Sequence, residues 1–273
     1  MKTGVLIARY GEDLEQKFAH AKELGFTSCQ ISCWDMERYT DEYAERIVNA
    51  TKKYGVEISS LWCGWSGPRV WNFYQGPKTL GLVPEEYRKE RIEDLKRGSD
   101  FAKKIGVKNI VTHVGFIPEV PTDPEFEAVV GAVREVCEYC KNNGQYFLFE
   151  TGQETPVTLL RLFEEVGLDN VGINLDPANL IMYGKANPID ALDVFGKYVR
   201  DVHAKDGLYP TEGKELGCET PIGEGRVDFV RLIAKLREIG YDGPLTIERE
   251  ISGDEQIRDI IKAKKLLEEI INA

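Results

Sequence analysis

The sequence predicts an α/β protein folded as a single (β/α)8 barrel, and three observations carry that expectation. Strand-like runs and helix-like runs alternate eight times along 273 residues, a normal length for such a barrel. A short phrase recurs at the helix ends: KELGF (22–26), KKYGV (52–56), KKIGV (103–107) and REIGY (237–241). No G-x-G-x-x-G follows a strand, as a dinucleotide site on an open doubly wound sheet would require.

The strand candidates are apolar or β-branched runs at 4–10, 28–34, 56–65 and 109–116, then at 145–152, 171–179, 199–206 and 243–250. Between them lie runs with 3.6-residue periodicity, such as DLEQKFAHAKELGF, DEYAERIVNATKKYG, PEEYRKERIEDLKRGSDFAKKIG and DFVRLIAKLREIG. Gly25, Gly55, Gly106, Gly144, Gly167 and Gly240 close helix patterns, and Pro84, Pro124, Pro156 and Pro188 stand near helix starts. A strand followed by a helix and a parallel strand needs a right-handed crossover, so the repeated unit builds a parallel sheet. Two long irregular stretches, 64–83 and 207–226, each follow a strand, which places them on the face where barrels build their sites. One domain spanning 1–273 is expected.

Composition excludes several classes. Acidic residues outnumber basic ones by 46 to 35, for a net charge of −11, which argues against a nucleic-acid partner. No apolar run approaches the roughly 18 residues of a membrane span. The apolar stretch before Gly11, Glu12 and Asp13 is too short for a signal peptide, so a cytoplasmic location is expected. Cys137 and Cys140 form a C-x-x-C, but it ends an amphipathic helix pattern and has no second copy. Buried thiols in a reducing compartment are the expected reading.

Four polar residues interrupt apolar strand runs: Glu150 in FLFET, Asp176 in INLDP, His203 in RDVHAKD and Glu248 in LTIERE. A charge inside an apolar strand is costly unless it is paired or bound. On strand candidates five to eight, four such residues surround one point if all face inward. Each alone reads equally as a salt-bridge partner, with Arg249 and Lys205 nearby. Together, three carboxylates and an imidazole suit one divalent cation: Mn2+, Mg2+ or Co2+, with Zn2+ ranked lower.

These residues and their neighbours carry a resemblance. T-H-V (112–114), F-E-T (149–151), N-L-D-P-A-N (174–179), D-V-H-A-K-D (201–206), G-E-G-R-V-D-F (223–229) and I-E-R-E (247–250) resemble the xylose-isomerase-like TIM barrel superfamily, in its sugar phosphate isomerase/epimerase branch. The resemblance covers the whole chain. It implies that Glu150, Asp176, His203 and Glu248 bind one divalent metal, and that Glu150 and Glu248 also act as acid and base. One departure is Asn179, which stands where many relatives in the branch have a substrate-contacting His.

His113 reads either as a substrate contact or as a satisfied buried histidine. Lys205 and Arg226 are cations at the mouth that either meet a substrate phosphate or neutralise the carboxylates. Trp34, Trp65, Trp71, Phe73 and Phe116 offer flat faces to sugar C–H groups or simply pack the core. Trp71, Phe73 and Tyr74 give 64–83 the character of a cover, with Gly67 and Gly76 as hinges. The expected activity is metal-dependent isomerisation or epimerisation of a ketose, ketose phosphate or related hydroxycarbonyl compound through an enediolate. An inosose-dehydratase-type lyase is the alternative enzyme. A sugar-binding barrel without turnover is the alternative outside enzymes. An apurinic endonuclease fits poorly, because only His20, His113 and His203 are present. The partner is a small-molecule sugar, and a homo-oligomer (dimer or tetramer) is left open.

Overall fold

The computed structural model of the chain describes residues 1–8 and 13–273. Its barrel strands are β1 (Lys2–Ile7), β2 (Ser28–Cys33), β3 (Glu57–Cys63), β4 (Asn109–Thr112), β5 (Tyr146–Glu150), β6 (Val171–Leu175), β7 (Val199–Ala204) and, as the eighth, β10 (Pro244–Ile247). All neighbours pair in parallel, and β10 closes the ring between β7 and β1. Between β7 and β10 the two-residue strands β8 (Asp206–Gly207) and β9 (Glu219–Thr220) form an antiparallel ribbon. The expected (β/α)8 barrel is therefore the observed fold. Of the first strand candidate, residues 9 and 10 lie outside the described residues, as do Gly11 and Glu12.

The helices are α1 (Leu14–Glu23), α2 (Asp41–Tyr54), α3 (Gly76–Thr79), α4 (Glu85–Lys104), α5 (Pro124–Asn142), α6 (Pro156–Val166), α7 (Pro177–Met182), α8 (Pro188–Phe195), α9 (Phe229–Glu238) and α10 (Asp254–Asn272). Their ends follow the local chemistry. Side-chain oxygens of Thr40, Thr155 and Asp228 accept from the backbone N–H three residues on, which satisfies donors that the first turn leaves orphaned. Gly55 and Gly167 end α2 and α6 in the left-handed conformation, where a Cβ would be strained. The longer helices turn a buried stripe to the sheet, as Phe126, Val129, Val133, Val136, Cys137 and Cys140 do on α5. Cys137 and Cys140 are thus two core positions on one helix face. Burial pushes both thiols up, Cys140 to about 12.

The strand candidates overran at their C-terminal ends, and each overrun has a cause. The run 171–179 is strand only to Leu175. Pro177 then opens α7, and the Asp176 side chain accepts from Asn179 N at 2.9 Å as its cap. The run 109–116 ends at Thr112. Gly115 takes φ +101 where a Cβ would come within 2.3 Å of Leu80 O, so the chain turns to meet the segment after β3. The run 199–206 breaks at Lys205, beyond which Asp206 joins the ribbon. The stretch 207–226 is also less irregular than it reads. The buried Asp206 carboxylate accepts from the backbone N–H groups of Gly207, Gly223, Gly225 and Val227, folding the loop about one side chain. No helix among the described residues is long and apolar enough to cross a membrane.

Candidate metal and substrate site

Glu150 is the last residue of β5, and His203 lies within β7. Asp176 and Glu248 each stand one residue past β6 and β10. One ligand atom from each of the four lies within 4.8 Å of all the others. His203 Nδ1 is 3.2 Å from Glu150 Oε1, 3.1 Å from Glu248 Oε2 and 3.9 Å from Asp176 Oδ2. Three of the residues are buried and Glu248 is half-buried. Asp176 Oδ2 and His203 Nδ1 are cut off from water, and among the described residues neither has a hydrogen-bond partner. Buried acceptors gathered around one point at this cost are what a divalent cation satisfies, so the residues present fit that group.

The electrostatics point the same way. Burial raises the Glu150 carboxyl, but His113 and His203 outweigh it and hold the group well below the usual range. Burial likewise opposes ionisation of Glu248, yet Lys205 and His203 keep it lowered. At His203 burial disfavours the imidazolium, and Glu150 and Glu248 overcome it, raising the group well above its ordinary value. A proton on His203 and a divalent cation would serve the same carboxylates, so they compete.

The neighbours hold these groups in place. Trp62 Nε1 donates to Glu150 Oε2, and Asn179 Nδ2 donates to Glu150 Oε1 at 3.3 Å. His113, buried just past β4, places Nε2 3.4 Å from Glu150 Oε1. Lys205 is buried, with Nζ 3.7 Å from Asp176, 3.4 Å from Glu248 and 3.1 Å from Glu250. Of the two readings open for Lys205, this geometry is the neutralising one. Arg226 is not brought into the cluster: its side chain is exposed, and its backbone N–H donates to Gly207 O.

Opposite the carboxylates stands an aromatic wall. Trp34 meets Trp62 and Trp65 at ring-centroid distances of 4.8 and 5.1 Å, with the Arg69 guanidinium over its outer face at 4.4 Å. Trp71 reaches back to within 5.1 Å of the His113 ring, and Phe73 and Phe116 meet Tyr183. The segment 64–83 therefore does lie over the mouth. Its two expected hinges are packing positions instead. A Cβ on Gly76 would strike Phe116 at 2.6 Å, and Gly67 (φ +83) sits against Tyr87 and Arg91.

Several residues of the site escaped the sequence reading. Trp62 lay in a strand candidate but was indistinguishable from core. Arg91, on α4, is fully buried and donates to Ser66 O, Pro68 O and Gly81 O, clipping the two feet of the covering segment together. Burial without a carboxylate bond pushes its guanidinium down to about 10. Gln153 and Glu154, in the loop after β5, are buried, and among the described residues nothing hydrogen-bonds their side-chain polar atoms. Burial pushes the Glu154 carboxyl up to about 7. The local signal for that pair was the ETGQET text, polar where a loop ought to face water.

Three similarities place this geometry among known proteins. A crystal structure of a xylose isomerase domain protein from Planctomyces limnophilus superposes with a TM-score of 0.91 at 35% identity, covering 98% of this chain and 96% of that one. A D-tagatose 3-epimerase-like protein superposes with a TM-score of 0.77 at 25% identity over 100% and 97% of the two chains. An inosose dehydratase of Lacticaseibacillus casei is 25% identical over 285 residues, covering 85% of this chain and 94% of its own. The profile of the xylose isomerase-like TIM barrel family matches residues 18–270, and the chain belongs to that family.

Proposed function

We propose that the protein is a divalent-metal-dependent enzyme that isomerises or epimerises a ketose or related hydroxycarbonyl compound through an enediolate. The observation that carries this is the pair Glu150 and Glu248, on β5 and just past β10, flanking His203 and Asp176. In this reading the four residues are the metal ligands, and the bound cation supplies a Lewis acid for a carbonyl and its neighbouring hydroxyl. Mn2+ is the first choice.

The two glutamates then carry the proton off and back, to the opposite face for epimerisation. Their settings differ. Both Glu150 oxygens are engaged, by Trp62 on one side and by Asn179, His113 and His203 on the other. Glu248 is held through Oε2 alone, by His203 and Lys205, and among the described residues nothing bonds its Oε1. That free oxygen makes Glu248 the better-placed base and Glu150 the more constrained partner. Asn179 and His113 are the polar contacts available to substrate hydroxyls, while Trp34 and Trp71 can take the C–H face of a sugar and the buried Trp65 packs behind them. Lys205, spent on carboxylates, is poorly placed for a substrate phosphate, which favours an unphosphorylated end there.

The Lacticaseibacillus relative, an inosose dehydratase, motivates testing a second reading: the same C–H abstraction followed by loss of a β-hydroxyl. One experiment separates the readings. The Mn2+-loaded protein is incubated with ketoses and inososes in deuterated water and followed by NMR. Exchange at a carbon beside the carbonyl with an isomeric product supports the isomerase or epimerase, and an unsaturated product the lyase. Tight sugar binding without any exchange would leave a binding barrel and sink both.

A further inference from the structure

Interiors of such barrels are usually filled by branched aliphatic side chains. Here Gln30 on β2, Asn174 on β6 and His203 on β7 are fully buried and bonded to one another across the barrel. Gln30 Nε2 donates to Asn174 Oδ1 at 3.0 Å, and Gln30 Oε1 lies 2.8 Å from His203 Nε2. Both amides stand where the sheet slips by a residue. The β2–β3 register shifts at Cys29/Gln30, and the β6–β7 register at Ile173/Asn174. Such slips re-aim side chains.

We infer that Gln30 is a positioning residue that, once a cation displaces the Nδ1 proton, holds the His203 imidazole with its remaining proton on Nε2 and the lone pair of Nδ1 turned to Glu150, Asp176 and Glu248. The inference rests on the reading of those four residues as metal ligands and goes beyond the reaction proposed. The Gln30 amide is oriented because its NH2 is used by Asn174, which leaves Oε1 facing the ring. An amide oxygen only accepts, so Nε2 must be the protonated nitrogen. Nδ1 is then the only nitrogen that can take a cation. An aliphatic side chain at position 30 would leave both the tautomer and the ring angle unfixed. The partners lie 144 and 173 residues from Gln30 in sequence, so only the closed barrel makes this pairing.

The test is a Mn2+ titration at fixed pH, with free ion followed by EPR, on wild type, Gln30→Met, Gln30→Glu and Asn174→Leu. Melting of the metal-free forms checks folding. Gln30→Met should weaken Mn2+ binding by about 10- to 100-fold. Gln30→Glu should bind close to wild type, because it keeps the acceptor and the unpartnered Asn174 Nδ2 can turn to donate to it. Asn174→Leu should fall between. Long-range 1H–15N NMR of the Mg2+-loaded wild type should find His203 protonated at Nε2, with only His20 and His113 as other signals. That spectrum and the Gln30→Glu titration decide the matter if Gln30→Met fails to fold. Wild-type affinity in Gln30→Met, equal losses in the Glu and Met variants, or a His203 proton on Nδ1 would overturn the inference while leaving the metal reading intact. No Mn2+ binding to wild type would overturn both.

Discussion

The two sides of the barrel mouth are built from different materials. On the side of β5, β6, β7 and β10, buried ions touch one another: Glu150, Asp176, His203, Glu248 and Lys205 all lie in one network. On the side of β2, β3 and β4, the wall is aromatic, and the segment above it is tied down by the buried Arg91, which among the described residues bonds only to carbonyls. A buried ion must have partners at fixed distance or its desolvation is not offset, so the first side is rigid by necessity. Aromatic faces tolerate small shifts, so the second side can cover a ligand without fixing it. In the proposed function the reaction belongs to the first side and coverage to the second, and mutations can break that division.

The largest effect is expected on the ionic side. Glu150→Gln or Glu248→Gln should lower deuterium exchange into a verified substrate by about 10²–10⁴. Saturating Mn2+ should not restore it, whereas Asp176→Asn should lose metal affinity first and recover part of its rate in excess Mn2+. Recovery of either Gln variant to wild-type turnover would reduce both glutamates to ligands.

Next comes Glu154, also on that side. A carboxyl raised from 4.5 to about 7 binds its proton more tightly in the folded chain. Its cost to stability is absent below the lower value, grows as pH rises through that window and is complete above it. Glu154→Gln should remove that loss and leave the variant more stable above the window by on the order of 3 kcal/mol. Parallel denaturation curves for the two proteins across the window would show instead that Glu154 is paired in solution.

On the aromatic side, Arg91→Met should cost about 1.5–3 kcal/mol by leaving buried carbonyls without donors. Hydrogen-exchange protection should fall at 66–81 more than in β5–β7. Uniform loss would mean that Arg91 supports the whole fold rather than the cover. The smallest effect is Trp71→Ala, expected to raise KM several-fold, about 1 kcal/mol, with kcat nearly unchanged. A fall in kcat comparable to that of the glutamate variants would erase the distinction between the two sides.

Helix ends, strand order and the ionic side were legible in the sequence because their signals are local. A glycine just past an amphipathic run, as at Gly55 and Gly167, marks where the helix closes, and a carboxylate inside FLFE or NLD is out of place before any neighbour is known. His113, Asn179 and Lys205 were also singled out, and the structure sets them beside the carboxylates, but which partner Lys205 would meet was not legible, since Asp176 follows β6 and Glu248 and Glu250 follow β10. Arg226 read as a cation at the mouth from its position in the chain, and its exposure outside the cluster was not legible there.

Tertiary structure decided the rest. Trp62 meets Glu150 across 88 residues, and Ser60 meets Asp201 across 141. Arg91 reads as an ordinary exposed helix residue until the segment after β3 folds over it. Which way a strand residue faces depends on register, and the slips at Gln30 and Asn174 exist only between strands. Local sequence therefore determined which residues could not lie quietly in an apolar core. Closure of the barrel determined which partners they would find, because that pairing is settled by long-range geometry that no window of sequence contains.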